Sequence, residues 1–291
     1  MVEPLEETKV LFEYDSGLDA FNSVISAHKM PRVIPMEKSF VVPYKALTPA
    51  RRWFVFFLGL LLSGCVWFRL LEIKNQLADF DENMRIEVVD KHFIVHFKSP
   101  VLLSEDFIYL SKLNPTRIET LADGSYRWYL DFHLDPAKTE EQKTKVVSFI
   151  MTYTREHKLE AFDFSPLFVE MAPVAFLEAS IRSIGLGKID QDKRQLKVDP
   201  EDLPKLIAEL PKSADITKVM GPPELVLREN GLKVLVYHFK SDSKAIDPEF
   251  EERRIAEAKL FFDPAKDEML GLKGRFAGLK LSIDYRKLSG R

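Results

Sequence analysis

The sequence predicts an α+β fold: an N-terminal membrane helix or lipoprotein signal, then two small antiparallel-sheet units with flanking helices. Three observations predict it. An uncharged run of 16 residues, Trp53–Phe68, lies in the N-terminal quarter of the chain. Beyond Phe80 the chain breaks into short stretches of alternating large apolar and polar residues, split by Asx-Gly and Pro-containing turns. These stretches recur in a similar order at an offset of about 107 residues, set by placing Gly124 on Gly231.

Residues 1–52 read as a cytoplasmic tail, or as a mis-assigned start followed by a basic n-region. Residues 1–35 carry six acidic and three basic side chains, whereas 36–52 carry Lys38, Lys45, Arg51 and Arg52 against Glu37. That basic block directly precedes the apolar run, where cytoplasmic charge belongs.

Residues 53–72 are the expected anchor. The run has no polar face at helical spacing, which disfavours a core helix. Two readings stay open. A retained transmembrane helix needs about 20 apolar residues and would have to stretch past Arg69, with Trp53 and Trp67 at the interfaces. Alternatively, Leu62-Ser63-Gly64-Cys65 resembles a bacterial lipobox, in which small residues precede a cysteine that takes the lipid. The apolar stretch before it has the length of an export h-region. Counted from Met36 the signal would be 29 residues long, against 64 from Met1. Either reading puts the rest of the chain in the bacterial cell envelope, facing the periplasm. A retained helix implies the inner membrane. Acylated Cys65 followed by Val66 implies, by resemblance to sorted lipoproteins, the outer membrane.

Residues 80–185 form the first expected α+β unit. Arg85–Pro100 reads as a hairpin turning at Asp90-Lys91, and Ser104 as the N-cap of a short helix. Asp123-Gly124 marks a turn between strands. In Tyr126–Leu134 the residues Tyr126, Trp128, Leu130 and Phe132 alternate with polar neighbours, as on a half-buried strand. Two more strands flank Arg155–Lys158. A helix then starts with Pro173 at its first position and ends at Gly185. Residues 196–291 form the second unit. A helical stretch begins at Asp199-Pro200, and a short helix runs from Ser213 to Gly221. A hairpin follows at Asn230-Gly231, then a charged arm at 241–254, two strands around Asp263-Pro264, and a last strand in Gly278–Tyr285.

The second unit resembles the BamE-like small envelope lipoproteins. The features that carry the resemblance are Asp215–Pro223, the Tyr237-His238-Phe239 strand and Leu260–Asp263, over about 75 residues. The tandem arrangement is similar to the β-lactamase-inhibitor protein. Both resemblances imply a binding or assembly module and supply no catalytic residues.

Composition bounds the chemistry. The chain has 291 residues, 46% hydrophobic and 30% charged, which suits a folded body. A net charge of −3 offers no basic surplus for nucleic acid. Cys65 is the only cysteine, so neither an intrachain disulfide nor a cysteine-built metal cluster can form. His92 and His96 fall on one face of a strand about 13 Å apart, too far to share a metal ion. Ser180, Ser183, Gly185, Gly187 and Lys188 follow a helix rather than a strand, the reverse of a phosphate loop. No metal and no cofactor is expected. The 22 phenylalanines are the outstanding feature, with Phe149, Phe162, Phe164, Phe168 and Phe176 close together in the chain. Within Phe164–Phe176, an apolar segment twice interrupted by proline, Phe164, Pro166, Phe168 and Phe176 are the candidate interface. The expected role is a membrane-anchored, non-catalytic interaction or assembly module, meeting membrane lipid and an envelope protein partner. A carrier of a hydrophobic ligand is the first alternative, and an envelope enzyme the second.

Overall fold

Period-two alternation after Asn83 produces strands, and antiparallel neighbours hide their apolar sides on one common face. The computed structural model describes residues 65–190, 195–197, 206 and 208–289. The tail and basic block at 1–52, the apolar run as far as Gly64 and the helical start at 199–205 lie outside the described residues.

Helix α1 spans Cys65–Ala78 and is followed by the single turn α2 (Phe80–Asn83). Strands β1 (Met84–Val89) and β2 (His92–Phe97) form a hairpin, with Asp90 and Lys91 in the left-handed region at its turn. Then come α3 (Ser104–Ser111), β3 (Arg117–Thr120) and β4 (Tyr126–Leu134). A short α4 (Glu140–Lys143) leads to β5 (Val146–Tyr153) and β6 (Leu159–Phe164). Two helices follow, α5 (Pro166–Met171) and α6 (Val174–Leu186), and a small hairpin β7 (Lys188–Asp190) with β8 (Gln195–Lys197). The remainder is α7 (Ser213–Met220), β9 (Leu225–Glu229), β10 (Leu232–Ser241), a 3₁₀ helix (Pro248–Arg254), β11 (Ile255–Phe262), β12 (Met269–Phe276), β13 (Leu279–Asp284) and α8 (Tyr285–Ser289). Among the described residues no helix is long and apolar enough to cross a membrane.

One antiparallel sheet takes up all strands except β7 and β8, in the order β1-β2-β6-β5-β4-β10-β11-β12-β13. The stretches 80–185 and 196–291 therefore share a sheet, joined where Phe132, His133 and Leu134 of β4 pair with Ser241, Lys240 and Phe239 of β10. Strand β3 pairs with the other end of the same edge of β4, and β9 does the same on β10. The described residues from Arg69 onward belong to one compact unit.

Helix ends depart from expectation by one or two residues, each for a visible reason. Leu103, not Ser104, caps α3, because Asp106 Oδ2 accepts the Leu103 N–H at 2.8 Å. Pro173 is the residue before α6 rather than its first, and Gly187 rather than Gly185 closes that helix. Gly185 is needed inside the helix. A Cβ there would run into the main chain of Leu77, so α1 and α6 touch backbone to backbone. Lys74 Nζ donates to Gly185 O across this contact, at 3.3 Å.

The core lies on the inner face of the curled sheet. Trp128, Leu130 and Phe132 of β4 sit beside Val147, Phe149, Met151 and Tyr153 of β5, and Leu235, Tyr237 and Phe239 of β10 continue the face. Burial of each such side chain contributes about 1.5–3 kcal/mol. Helix α5 packs against β2 and β5 and closes part of this surface.

Candidate functional site

Aromatic rings on neighbouring strands of a curled sheet cannot all lie flat against one another. They prop each other edge to face. Phe149 is the centre of such an arrangement. Its ring centroid lies 5.3 Å from Phe168, 5.4 Å from Phe276, 5.9 Å from Phe164, 6.1 Å from Phe162 and 6.2 Å from Phe132. The register causes the meeting: Phe149 pairs with Leu130 on one side and Phe164 on the other.

Above this floor lies a partly open cavity of about 320 Å³. Helix α3 supplies Phe107 and Leu110 to its wall, α6 supplies Leu177 and Ile181, and β13 supplies Leu279 and Leu281. Met151 and Tyr153 complete the sheet side. The volume is at the lower end of the range for small-ligand sites.

The few polar groups of the wall are turned away from it or already satisfied. Ser180 Oγ donates to Phe176 O at 2.7 Å, within its own helix. Ser111 Oγ donates to Leu113 O at 3.2 Å. Asp106 meets Arg69 in a two-pronged ion pair. Arg69 Nε donates to Asp106 Oδ2 at 2.6 Å, and Arg69 Nη2 donates to Oδ1. Only 5% of the Asp106 side chain is exposed, so the pairing is what keeps a carboxylate tolerable there. Burial, with the Asp106 charge adding to it, pushes the Tyr153 hydroxyl far above its ordinary value, so it stays protonated at neutral pH. The wall therefore offers mainly apolar contact.

The residues singled out from the sequence divide. Phe164 and Phe168 line the cavity. Phe176 does not. It is fully buried and packs on Tyr285, with ring centroids 4.7 Å apart. Pro166 begins α5, outside the cavity wall. Cys65 begins α1, while Leu62, Ser63 and Gly64 lie outside the described residues. Arg69, read as a residue that a membrane helix would have to bypass, is engaged with Asp106, which places it in the folded body.

The described strand histidines are half-buried and carboxylate-paired. His92 Nδ1 lies 2.9 Å from Asp163 Oδ1, and His96 Nε2 lies 2.9 Å from Glu87 Oε2. Burial holds the Asp163 carboxyl above its ordinary range, and His92 only partly offsets this. His238 sits between Glu224 and Glu257. Among the described residues no three side chains converge as a metal site would require.

Sequence reasoning missed two components. Phe276, Leu279 and Leu281 reach the cavity from 100 or more residues beyond the aromatic cluster. The Arg69–Asp106 pair spans 37 residues and has no local signature. No known protein family, curated protein or solved structure matches the chain.

Proposed function

We propose that this chain is a membrane-tethered, non-catalytic protein of the bacterial cell envelope that holds a hydrophobic ligand. The observation that carries this reading is the aromatic cavity, about 320 Å³ in volume and apolar in its wall. A native core closes such space, because an empty void forfeits contacts on every side. An apolar wall suits holding a hydrophobic ligand. The tether reading rests on the basic block before Trp53 and on the lipobox-like Leu62–Cys65.

Two measurements test this. Intact protein extracted from membranes, analysed by native mass spectrometry, should carry a co-purifying lipid, and Ile181→Phe, which fills the cavity, should lose it. A ligand-free wild type would remove the reading. The mass of the mature N-terminus decides the tether: an acylated Cys65 with nothing before it supports the lipoprotein form.

A second reading, an assembly module of two α+β units, has its own support. The strand series β3–β4–β5–β6 and β9–β10–β11–β12 pair in the same order. The offset of 107 carries Phe132 onto Phe239 and Leu134 onto Ser241, and the β4–β10 register pairs Phe132 with Ser241 and Leu134 with Phe239. Exchanging the halves maps that register onto itself, as fused copies of a two-fold pair would. On β9, Leu225, Val226 and Leu227 are 45%, 61% and 37% exposed, an apolar strand edge that suits strand addition by a protein partner. Crosslinking from position 226 to an envelope protein would favour this reading.

A further inference from the structure

We propose that the edge strand β1 pairs with β1 of a second copy of this chain, giving a two-fold dimer with one continuous sheet. This goes beyond the carrier reading and does not depend on the cavity.

Strands β1 and β13 are the two ends of the sheet. Among the described residues β1 has a neighbour, β2, on one side only. It is the more open end: Arg85, Val88 and Val89 are exposed on it, whereas only Leu279 is exposed on β13. The hairpin turn decides which main-chain groups are left over. Val89 and His92 flank the two-residue turn Asp90-Lys91, and such a flanking pair exchanges both its hydrogen bonds. By alternation Glu87 and Arg85 also turn their main chain to β2, and Lys98 N–H, donating to Asn83 O at 2.8 Å, continues the pattern. The N–H and C=O groups of Met84, Ile86 and Val88 therefore point away from the sheet, as a free pairing edge.

Charge selects the occupant. Arg85 Nη2 lies 3.0 Å from Glu87 Oε2 on the outer face, and both side chains are exposed. An antiparallel second β1 centred on Ile86 sets Arg85 opposite the partner's Glu87 and Glu87 opposite the partner's Arg85. These are the pairs without main-chain bonds, where side chains stand closest. Centring the pairing on Arg85 or on Glu87 instead sets like charges face to face. On the inner face Ile86 meets its own copy, and Val88, 51% exposed, comes to lie beside the partner's Met84. Glu87 Oε2 also lies 2.9 Å from His96 Nε2, a contact that the pairing leaves in place. Self-complementarity of this kind is what a two-fold interface requires.

The full chain, extracted in detergent, is followed by sedimentation velocity over a concentration series. We expect a monomer–dimer equilibrium. Arg85→Glu and Glu87→Arg each set like charges opposite one another and should weaken it about tenfold, the size of two cross-strand charge pairs lost and reversed. The double swap restores complementarity and should restore the dimer, which mere damage to the strand would not allow. Register is read separately. Arg85→Cys chains mixed with Glu87→Cys chains should form disulfide dimers on mild oxidation, because opposite positions of this type lie about 4.5 Å apart between Cα atoms. Neither variant alone, nor the wild type with its Cys65, should do so at that rate. A wild type that stays monomeric at every concentration overturns the inference. So does a dimer indifferent to both single swaps, or disulfide dimers that form equally from one variant alone.

Discussion

The strands β3–β6 and β9–β12 follow one plan and differ in side-chain size at a few inner positions. The first series carries Phe149, Met151, Tyr153, Phe162 and Phe164 on its inner face, and the cavity lies there. The second carries Ala256, Ala258 and Gly274 at comparable places. At these positions the cavity lies beside the large side chains. Rings held edge to face are stiff and cannot collapse into the gaps between them, whereas small residues let a neighbour lean in. Gly274 illustrates this: a Cβ there would approach the Phe276 ring to 3.3 Å. Its absence lets Phe276 cross toward the first series and join Phe132 and Phe149, each 5.4 Å away.

The comparison can be broken at its centre. Phe149→Ala should cost about 3–5 kcal/mol in urea denaturation, as deletion of a core ring does. Phe276→Ala should cost about as much. The double variant should lose less than the sum, by about 0.5–3 kcal/mol, if the two series share one core. Strict additivity would mean that they are filled independently.

The next effect tests the close contact between helices α1 and α6. Gly185→Ala should cost about 3 kcal/mol or more, because the added methyl meets rigid main chain of Leu77 and neither helix can yield. Asp106→Asn should cost about 2 kcal/mol through loss of charged hydrogen bonds to Arg69. In the second series the turn at Asn230-Gly231 gives the milder counterpart. Gly231 has φ +80°, and no atom lies within 4 Å of the point where a methyl would stand. Gly231→Ala therefore costs only its backbone strain, about 1 kcal/mol. Equal losses for Gly185→Ala and Gly231→Ala in a thermal melt would refute the backbone-contact argument.

The smallest effect concerns pH. The Asp163 carboxyl is raised above 3.8 by burial, against the pull of His92. The folded state then holds this proton longer than the unfolded one. Stability contributed by the site is present below the ordinary value and falls as pH rises through the folded value. Asp163→Asn should flatten that segment of the stability–pH curve. An unchanged slope would show that another group sets it.

Legibility in the sequence followed the range of the interactions. The hairpins at Asp90-Lys91, Asp123-Gly124 and Asn230-Gly231 were readable because turn chemistry and alternation are local. So was the inner face of β4. The join of β4 to β10 was not, since pairing partners about 107 residues apart leave no mark on either strand's periodicity. For the cavity, the phenylalanines of the first series were visible as a cluster, but Phe176 belongs to that cluster only along the chain and packs on Tyr285 instead. Arg69 was hidden by its neighbours: next to an apolar run it reads as an interruption, and only the fold supplies Asp106.

Along the middle of the sheet, β4 meets β10 over Phe132–Leu134 and Phe239–Ser241, with the Asp135 N–H donating to His238 O just beyond, whereas β4 runs beside β5 from Tyr126 to His133. Such a molecule is two leaves on a short spine. The spine is held shut less by its few main-chain rungs than by Phe276 clasped between Phe132 and Phe239. A greasy clasp of this kind tolerates small sliding yet would give way to a single polar atom set between the rings.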